Sequence, residues 1–383
     1  MALSIYAHIP FCRVRCAYCD FNTYAGLEDL MPAYARALAD EFRTVGACTS
    51  DPVHTVFFGG GTPSLLPIEL WANLFDALYA NFALTADCEI TVEANPGTVD
   101  YAYFKSLHDL GANRVSFGVQ SAQPHELRLL DRQHTFADVR RTVRSARRAG
   151  LDNLNLDLIF ALPHQTLDSW RDTLRRALTL QPEHLSLYAL SLEYGTPMRS
   201  WVNRGLLPLP DPDLAADMYE AADELLAGAG FEQYEISNWT RPAHACRHNL
   251  QYWRNQPYLG FGAGAHGYSG GWRYAVVRSP RAYITRMEAA AATEYPFSPA
   301  LASRRRIDVD TAMNEAMLLG LRLTREGVQT RAFRERFGVG PEEAFGGQLA
   351  LLRSKQLVET TPESTRLTHA ARLVANHAFG MFV

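Results

Sequence analysis

Between residue 3 and about residue 230 the chain alternates, six times over, a short β-rich apolar run with an amphipathic stretch at helical spacing. The runs are LSIYAHI, HTVFFGG, EITVEAN, RVSFGVQ, NLNLDLIF and HLSLYAL, and MPAYARALADEF and DSWRDTLRRALTL are two of the segments between them. Sequential βα units favour right-handed crossovers and a parallel sheet, so the fold class is α/β, with the sheet open or curled into a barrel. In either arrangement, residues that carry chemistry gather just beyond the C-terminal ends of the strands. Past PLPDPDLAADMYEAADELLAGAGF the pattern changes. A strand-like EQYEISNW leads into a Gly- and aromatic-rich stretch, 240–274, with little helical periodicity. The segment 303–355 predicts two or three helices, and LVETTPESTRLTHAARLVANHAF predicts strand, turn and strand, a small wing. The expected division is a core domain over 1–235, a linking region over 236–300 and a helical, winged-helix-like domain over 301–383.

Bulk properties exclude several functions. With 37 basic and 41 acidic residues spread along the chain, the formal net charge is −4 and no electrostatic footprint for nucleic acid appears. The basic clusters RRTVRSARR and SRRRID are expected on solvated helix faces. MALSIYAHIPFC lacks the basic and apolar regions of a secretory signal, and no stretch approaches the ~18–20 apolar residues of a membrane span. A cytoplasmic protein is expected, with peripheral attachment to a membrane through a partner left open. Six cysteines in 383 residues are too sparse for a disulfide scaffold.

Three of those cysteines, Cys12, Cys16 and Cys19, crowd into a C-x3-C-x2-C run directly after the first strand, while Cys48, Cys88 and Cys246 are expected to be ordinary thiols. A tight loop there would present three sulfurs to one point. Structural zinc asks for four ligands, and no second knuckle follows. Iron–sulfur clusters are held by thiolates, four for a fully ligated [4Fe–4S] cluster, so three leave one iron open to an exchangeable ligand. The run resembles the radical S-adenosylmethionine (SAM) proteins, and the resemblance implies that the open iron is chelated by the amino and carboxylate groups of SAM. The reduced cluster of that family then cleaves the sulfonium to a 5′-deoxyadenosyl radical.

Other motifs fall where the βα rule puts them. The second strand ends in FFGGGTP, where the glycines, Gly59 to Gly61, allow close backbone approach. No Lys-Ser/Thr follows, so this is no phosphate loop. The third strand ends with Glu93, a residue suited to a ribose diol, the fourth with Gln120, with Arg132 beyond it, and the fifth carries Asp157 between apolar neighbours. IYAHIPFCRVRCAYCDF, FFGGGTPSLL, EANPGT, SFGVQS and DLIFALPHQT together are similar to the family of oxygen-independent coproporphyrinogen III oxidase and its haem-chaperone relatives. That resemblance covers nearly the whole chain. It implies a partial six-stranded (β/α) barrel and SAM contacts at Tyr6, Glu93, Gln120, Arg132 and Asp157, with Gly60, Gly61 and Thr62 in the same pocket.

Two features separate the branches of that family. The oxidases carry a fourth cysteine, C-x3-C-x2-C-x-C, and an N-terminal extension; here Phe21 stands at the fourth position and eleven residues precede Cys12. Both match the haem-chaperone branch, which implies haem and a haem-acceptor protein as partners, and an electron donor for the cluster. The run CRHNLQYW resembles that branch's haem motif and assigns haem contact to His248, Asn249, Tyr252 and Trp253, with His244, Cys246 and His266 as competing axial ligands. Gly262, Gly264 and Gly267 form a G-x-G-x-x-G, but Pro257 precedes it and the strand-like WRYAVV follows, which is the wrong setting for a dinucleotide. The alternatives are a coproporphyrinogen oxidase or another tetrapyrrole-acting radical enzyme, and a DNA-binding regulator that uses the wing.

Overall fold

A computed structural model describes residues 2–289 and 294–383. Two compact units emerge, one of residues 1–222 and 257–305, the other of 223–256 and 306–383.

The first unit is built on six parallel strands in sequence order: β1 (Leu3–Ile9), β2 (Val53–Gly60), β3 (Leu84–Ala94), β4 (Arg114–Gln120), β5 (Asn153–Phe160) and β6 (His184–Ala189). Five helices link successive strands: α1 (Met31–Gly46), α2 (Ile68–Asn81), α3 (Tyr101–Leu110), α4 (Phe136–Arg148) and α5 (Leu167–Leu178). Parallel strands are covered on their faces, so they read as near-continuous apolar runs. β1 obeys, with every residue except Tyr6 buried. The helices α4 and α5 begin at Thr135 and Thr166, each in a reciprocal capping box that satisfies two otherwise orphaned donors. Ile5, Ile9, Phe42, Phe58, Trp71 and Phe261 anchor the largest apolar core.

The expected boundaries do not coincide with these units. Residues 257–300, assigned to a linking region by their composition, and 301–305, assigned to the C-terminal domain, add strands to the first unit. Tyr258–Phe261 pairs in parallel with β1, and His266–Ser269 and Trp272–Val276 follow as antiparallel neighbours. The buried Glu41 of α1 fixes the addition, accepting from Gly262 N at 2.7 Å, from the Tyr283 hydroxyl at 2.7 Å and from the Ser298 hydroxyl. Burial raises the Glu41 pKa. These partners are some 220 to 260 positions away in sequence, a separation that no local pattern can announce. The G-x-G-x-x-G run is a turn between strands: a Cβ on Gly262 would come within 2.5 Å of the His8 carbonyl oxygen, and one on Gly264 would run into Asn22. RRTVRSARR lies on α4 as expected, whereas the arginines of SRRRID lie on an exposed strand, Leu301–Arg306, and not on a helix.

The second unit packs helices Val309–Gly320, Thr330–Phe337 and Pro341–Ser354 beside a three-stranded antiparallel sheet with Ser364–Leu367 at its centre, the predicted wing. Met317, Leu321, Phe333, Phe345 and Leu349 form its core. It also holds the hairpin Glu232–Glu235 and Asn238–Thr240 and a short helix, Arg247–Trp253, within the stretch whose sequence showed little helical periodicity. Seven residues are two turns, too few for a period to declare itself.

Candidate cofactor site

All six strand ends converge on one cavity of about 400 Å³. The loop after β1 contributes Cys12, Cys16, Cys19 and Thr23; β2 contributes Gly60 with Gly61 and Thr62 beyond it; β3 ends in Glu93, with Asn95 following. Ser116 and Gln120 come from β4, Asp157 from β5, and Tyr188 to Ser191 with Glu193 from the end of β6 and just beyond it, with Arg132 reaching in from the segment after β4. Of the residues assigned to SAM, only Tyr6 does not line the cavity. Its hydroxyl is 2.9 Å from His8 Nδ1, and its pKa is raised by burial and then by Glu93.

Ser116, Asn95 and Thr23 also line the cavity, although no motif in the sequence assigns them a role. The period of two along β4 and β5, which puts Ser116 with Gly118 and Asn155 with Asp157 on shared faces, was the available signal. Ser116 Oγ donates to Asp157 at 2.9 Å and Asn155 Nδ2 donates to it at 2.8 Å. Gln120 ends β4 at φ 65, a left-handed conformation uncommon outside glycine and a local strain held by the surrounding structure.

The electrostatics suit a cationic ligand. Glu93 is pushed up to about 8, chiefly by burial and then by the neighbouring Asp157, although Gly60 N donates to its carboxylate at 3.0 Å. Asp157 is raised for the same first reason. Two carboxyls so held take up a positive charge far more readily than a second negative one.

The three sulfurs line this cavity, and among the described residues no three His, Cys, Asp or Glu side chains are grouped for one metal ion. A cluster does not require such a grouping, because each thiolate takes a different iron. The fit to a cluster rests on how the sulfurs are dressed. Burial pushes the Cys12 thiol up to about 11 and raises Cys19. Thr62 Oγ1 donates to Cys12 Sγ at 3.6 Å and Arg132 Nη1 to Cys16 Sγ at 3.6 Å. The buried Thr23 hydroxyl, which has no full hydrogen-bond partner among the described residues, lies where it favours both the Cys12 and Cys19 thiolates. Donors aimed at sulfur, one of them otherwise orphaned, fit thiolates bound to iron better than neutral thiols.

The glycines of FFGGGTP have a reason that precedes any ligand. Gly60 has φ +114 and a Cβ there would run into the His8 imidazole; on Gly61 it would fall 2.6 Å from the Phe11 carbonyl oxygen. Gly60→Ala is therefore expected to cost about 3 kcal/mol of stability, from backbone strain plus overpacking. An unchanged denaturant midpoint in that variant would refute this packing account.

The haem-motif residues lie in the second unit. His248, Asn249, Tyr252 and Trp253 share the helix Arg247–Trp253, where His248 and Tyr252, one turn apart, are joined by a 2.9 Å bond from Nε2 to the hydroxyl. His248 is 1% exposed, so its imidazole is enclosed in this state. The Arg322 guanidinium stacks 4.2 Å from the Trp253 ring centroid. Asn249 Nδ2 is 3.5 Å from the Tyr234 hydroxyl. Cys246 is buried, His244 partly exposed, and His266, in the first unit, exposed.

Comparison with known proteins agrees with this layout. Residues 6–177 match the radical SAM superfamily and residues 307–374 the HemN C-terminal domain. The haem chaperone HemW of Bacillus subtilis is 37% identical over 382 residues, 99% of each chain. The Escherichia coli haem chaperone HemW is 42% identical over 270 residues, 69% of this chain and 70% of that one. The coproporphyrinogen III oxidase HemN of Escherichia coli, a radical SAM enzyme, superposes with a TM-score of 0.84 over 100% of this chain and 90% of its own at 23% identity, which is a likeness of fold. A sheet whose strand ends bring together a three-cysteine loop and a polar, acid-lined cavity, and near-full-length identity of this order, place the chain in the HemW family of radical SAM proteins.

Proposed function

We propose that this chain binds haem and hands it to an acceptor protein, carrying a [4Fe–4S] cluster on Cys12, Cys16 and Cys19 with exchangeable SAM. The observation that carries the proposal is the end-to-end similarity to haem chaperones. When bound, the cluster would supply one electron at a time and an open iron for the amino and carboxylate groups of SAM. The protein's own part is positioning. Gly60, Gly61 and Thr62 would line the path of the methionine portion, Glu93 would accept from the ribose hydroxyls, and Gln120, Arg132 and Asp157 would fix the rest, with Tyr6 acting through His8 and Glu93. The electron donor and the acceptor are separate proteins. Peripheral attachment to a membrane through a partner belongs to the same proposal; among the described residues no helix is long and apolar enough to cross a bilayer.

Haem contact is assigned to the helix bearing His248, Asn249, Tyr252 and Trp253. Ligation by His248 requires its bond to Tyr252 to open, which makes the exposed His266 the leading competitor. The test is an anaerobic haemin titration of the cluster-reconstituted protein, followed by its Soret difference spectrum, beside His248→Ala. A saturable one-to-one shift, about tenfold weaker in the variant, is expected, a loss of ~1.4 kcal/mol. Equal binding in both moves the ligand to His266 or Cys246. No saturable binding in either sinks the carrier, and vinyl porphyrin formed anaerobically from coproporphyrinogen would put the oxidase in its place.

A further inference from the structure

Arginine carries five N–H donors and no acceptor. The side-chain atom of Asn95 that faces Arg132 Nη2, at 2.6 Å, is therefore its oxygen. The Asn95 amide nitrogen then points the other way and donates to Thr62 Oγ1 at 2.9 Å. With that oxygen accepting, the Thr62 hydroxyl has a single proton to give, and it is directed at Cys12 Sγ, 3.6 Å away. The same guanidinium places Nη1 3.6 Å from Cys16 Sγ. One relay thus ends on two of the three thiols, and the direction of every bond in it follows from the chemistry of its first member.

We propose that Arg132, Asn95 and Thr62 form a tuning relay that raises the reduction potential of the cluster, with Asn95 as the positioning residue that sets the direction of the Thr62 proton. This rests on the assignment of a [4Fe–4S] cluster to Cys12, Cys16 and Cys19. Reduction adds one electron to the cluster and increases the negative charge on its sulfur ligands. Hydrogen bonds to those sulfurs, one of them from a cation, stabilise the reduced form more than the oxidised one. Arg132 in this arrangement acts on the cluster through Cys16 as well as facing the cavity where the SAM contact was assigned.

The experiment is an electron-paramagnetic-resonance redox titration of the full-length reconstituted protein without SAM, with dithionite as reductant, on the unchanged chain and on Asn95→Ala, Thr62→Val, Thr62→Ser and Arg132→Gln. Iron and sulfide per chain are measured first. Asn95→Ala, Thr62→Val and Arg132→Gln are each expected to move the midpoint to more negative potential, by up to about 59 mV, a tenfold change in the one-electron ratio. Thr62→Ser, which keeps the hydroxyl, should hold the original midpoint. Unchanged midpoints at full loading would overturn the relay. So would loss of cluster from Asn95→Ala and Thr62→Ser alike, which would assign these contacts to building the loop. Absence of cluster from the unchanged chain would instead strike at the cofactor assignment itself.

Discussion

Cys16→Ser is expected to abolish cluster loading, taking iron from about four per reconstituted chain to near zero and removing the broad absorbance near ~400 nm, with the sheet intact. The loop does not depend on its sulfurs for shape. Cys19 N donates to the Cys16 carbonyl at 3.1 Å, Tyr24 N to the Pro10 carbonyl at 2.7 Å and Thr62 N to the Phe11 carbonyl at 2.8 Å. These are backbone bonds that serine at position 16 leaves untouched. Far-ultraviolet circular dichroism and the denaturant midpoint should therefore match those of the unchanged protein, while SAM binding, which needs the open iron, disappears with the cluster. Cys48 is exposed and away from the cavity, so Cys48→Ser should load normally and controls for nonspecific thiol effects. Full iron content in Cys16→Ser would remove this cysteine from the ligand set.

Glu93→Gln is expected to weaken SAM binding by about 10- to 100-fold, the equivalent of one charge-assisted hydrogen bond at ~1.5–3 kcal/mol. It should also erase a pH dependence. Glu93 has its pKa pushed up to about 8, by burial first and Asp157 second, so near neutrality the ligand-free carboxyl holds a proton. A cationic ligand with a diol to donate favours the carboxylate, so binding expels that proton and affinity should rise with pH until it levels above about 8. The same shift governs ligand-free stability with the opposite slope. The native state holds the proton where the unfolded chain has lost it, so raising the pH from the ordinary carboxyl value of 4.5 towards about 8 costs stability. In Glu93→Gln both slopes should flatten. Calorimetric SAM titrations and urea midpoints at several pH values read the two effects separately, and an unaltered affinity profile would exclude Glu93 from the pocket.

The six strands and the cysteine loop were legible in the sequence because each is a local pattern. Continuous apolar runs mark covered parallel strands, and C-x3-C-x2-C needs only eight residues to be recognised. Placement of Gly60, Glu93, Gln120 and Asp157 at one cavity followed from the rule that parallel strands deliver chemistry at their C-terminal ends, and the structure places all four there. Reasons were less legible than positions. Gly60 and Gly61 suggested a close approach to a ligand, yet the nearest atoms to a Cβ added there belong to His8 and Phe11. His248 read as a haem contact with the axial ligand left open, and the structure adds that its imidazole is enclosed and bonded to Tyr252. Those two stand four apart, a helical spacing that a seven-residue helix leaves too brief to detect.

What the sequence by itself determined was the order of strands and helices, the three-thiolate motif and, through Phe21 in place of a cysteine, the branch of the family. Only the tertiary structure decided that residues 257–305 extend the first sheet, that Glu41 anchors them, and that Asn95 joins Arg132 to Thr62. The physical reason is the same for each. A hydrogen bond is decided by the distance and direction between two atoms, and those are set only after the chain has brought together residues 33 to 257 positions apart.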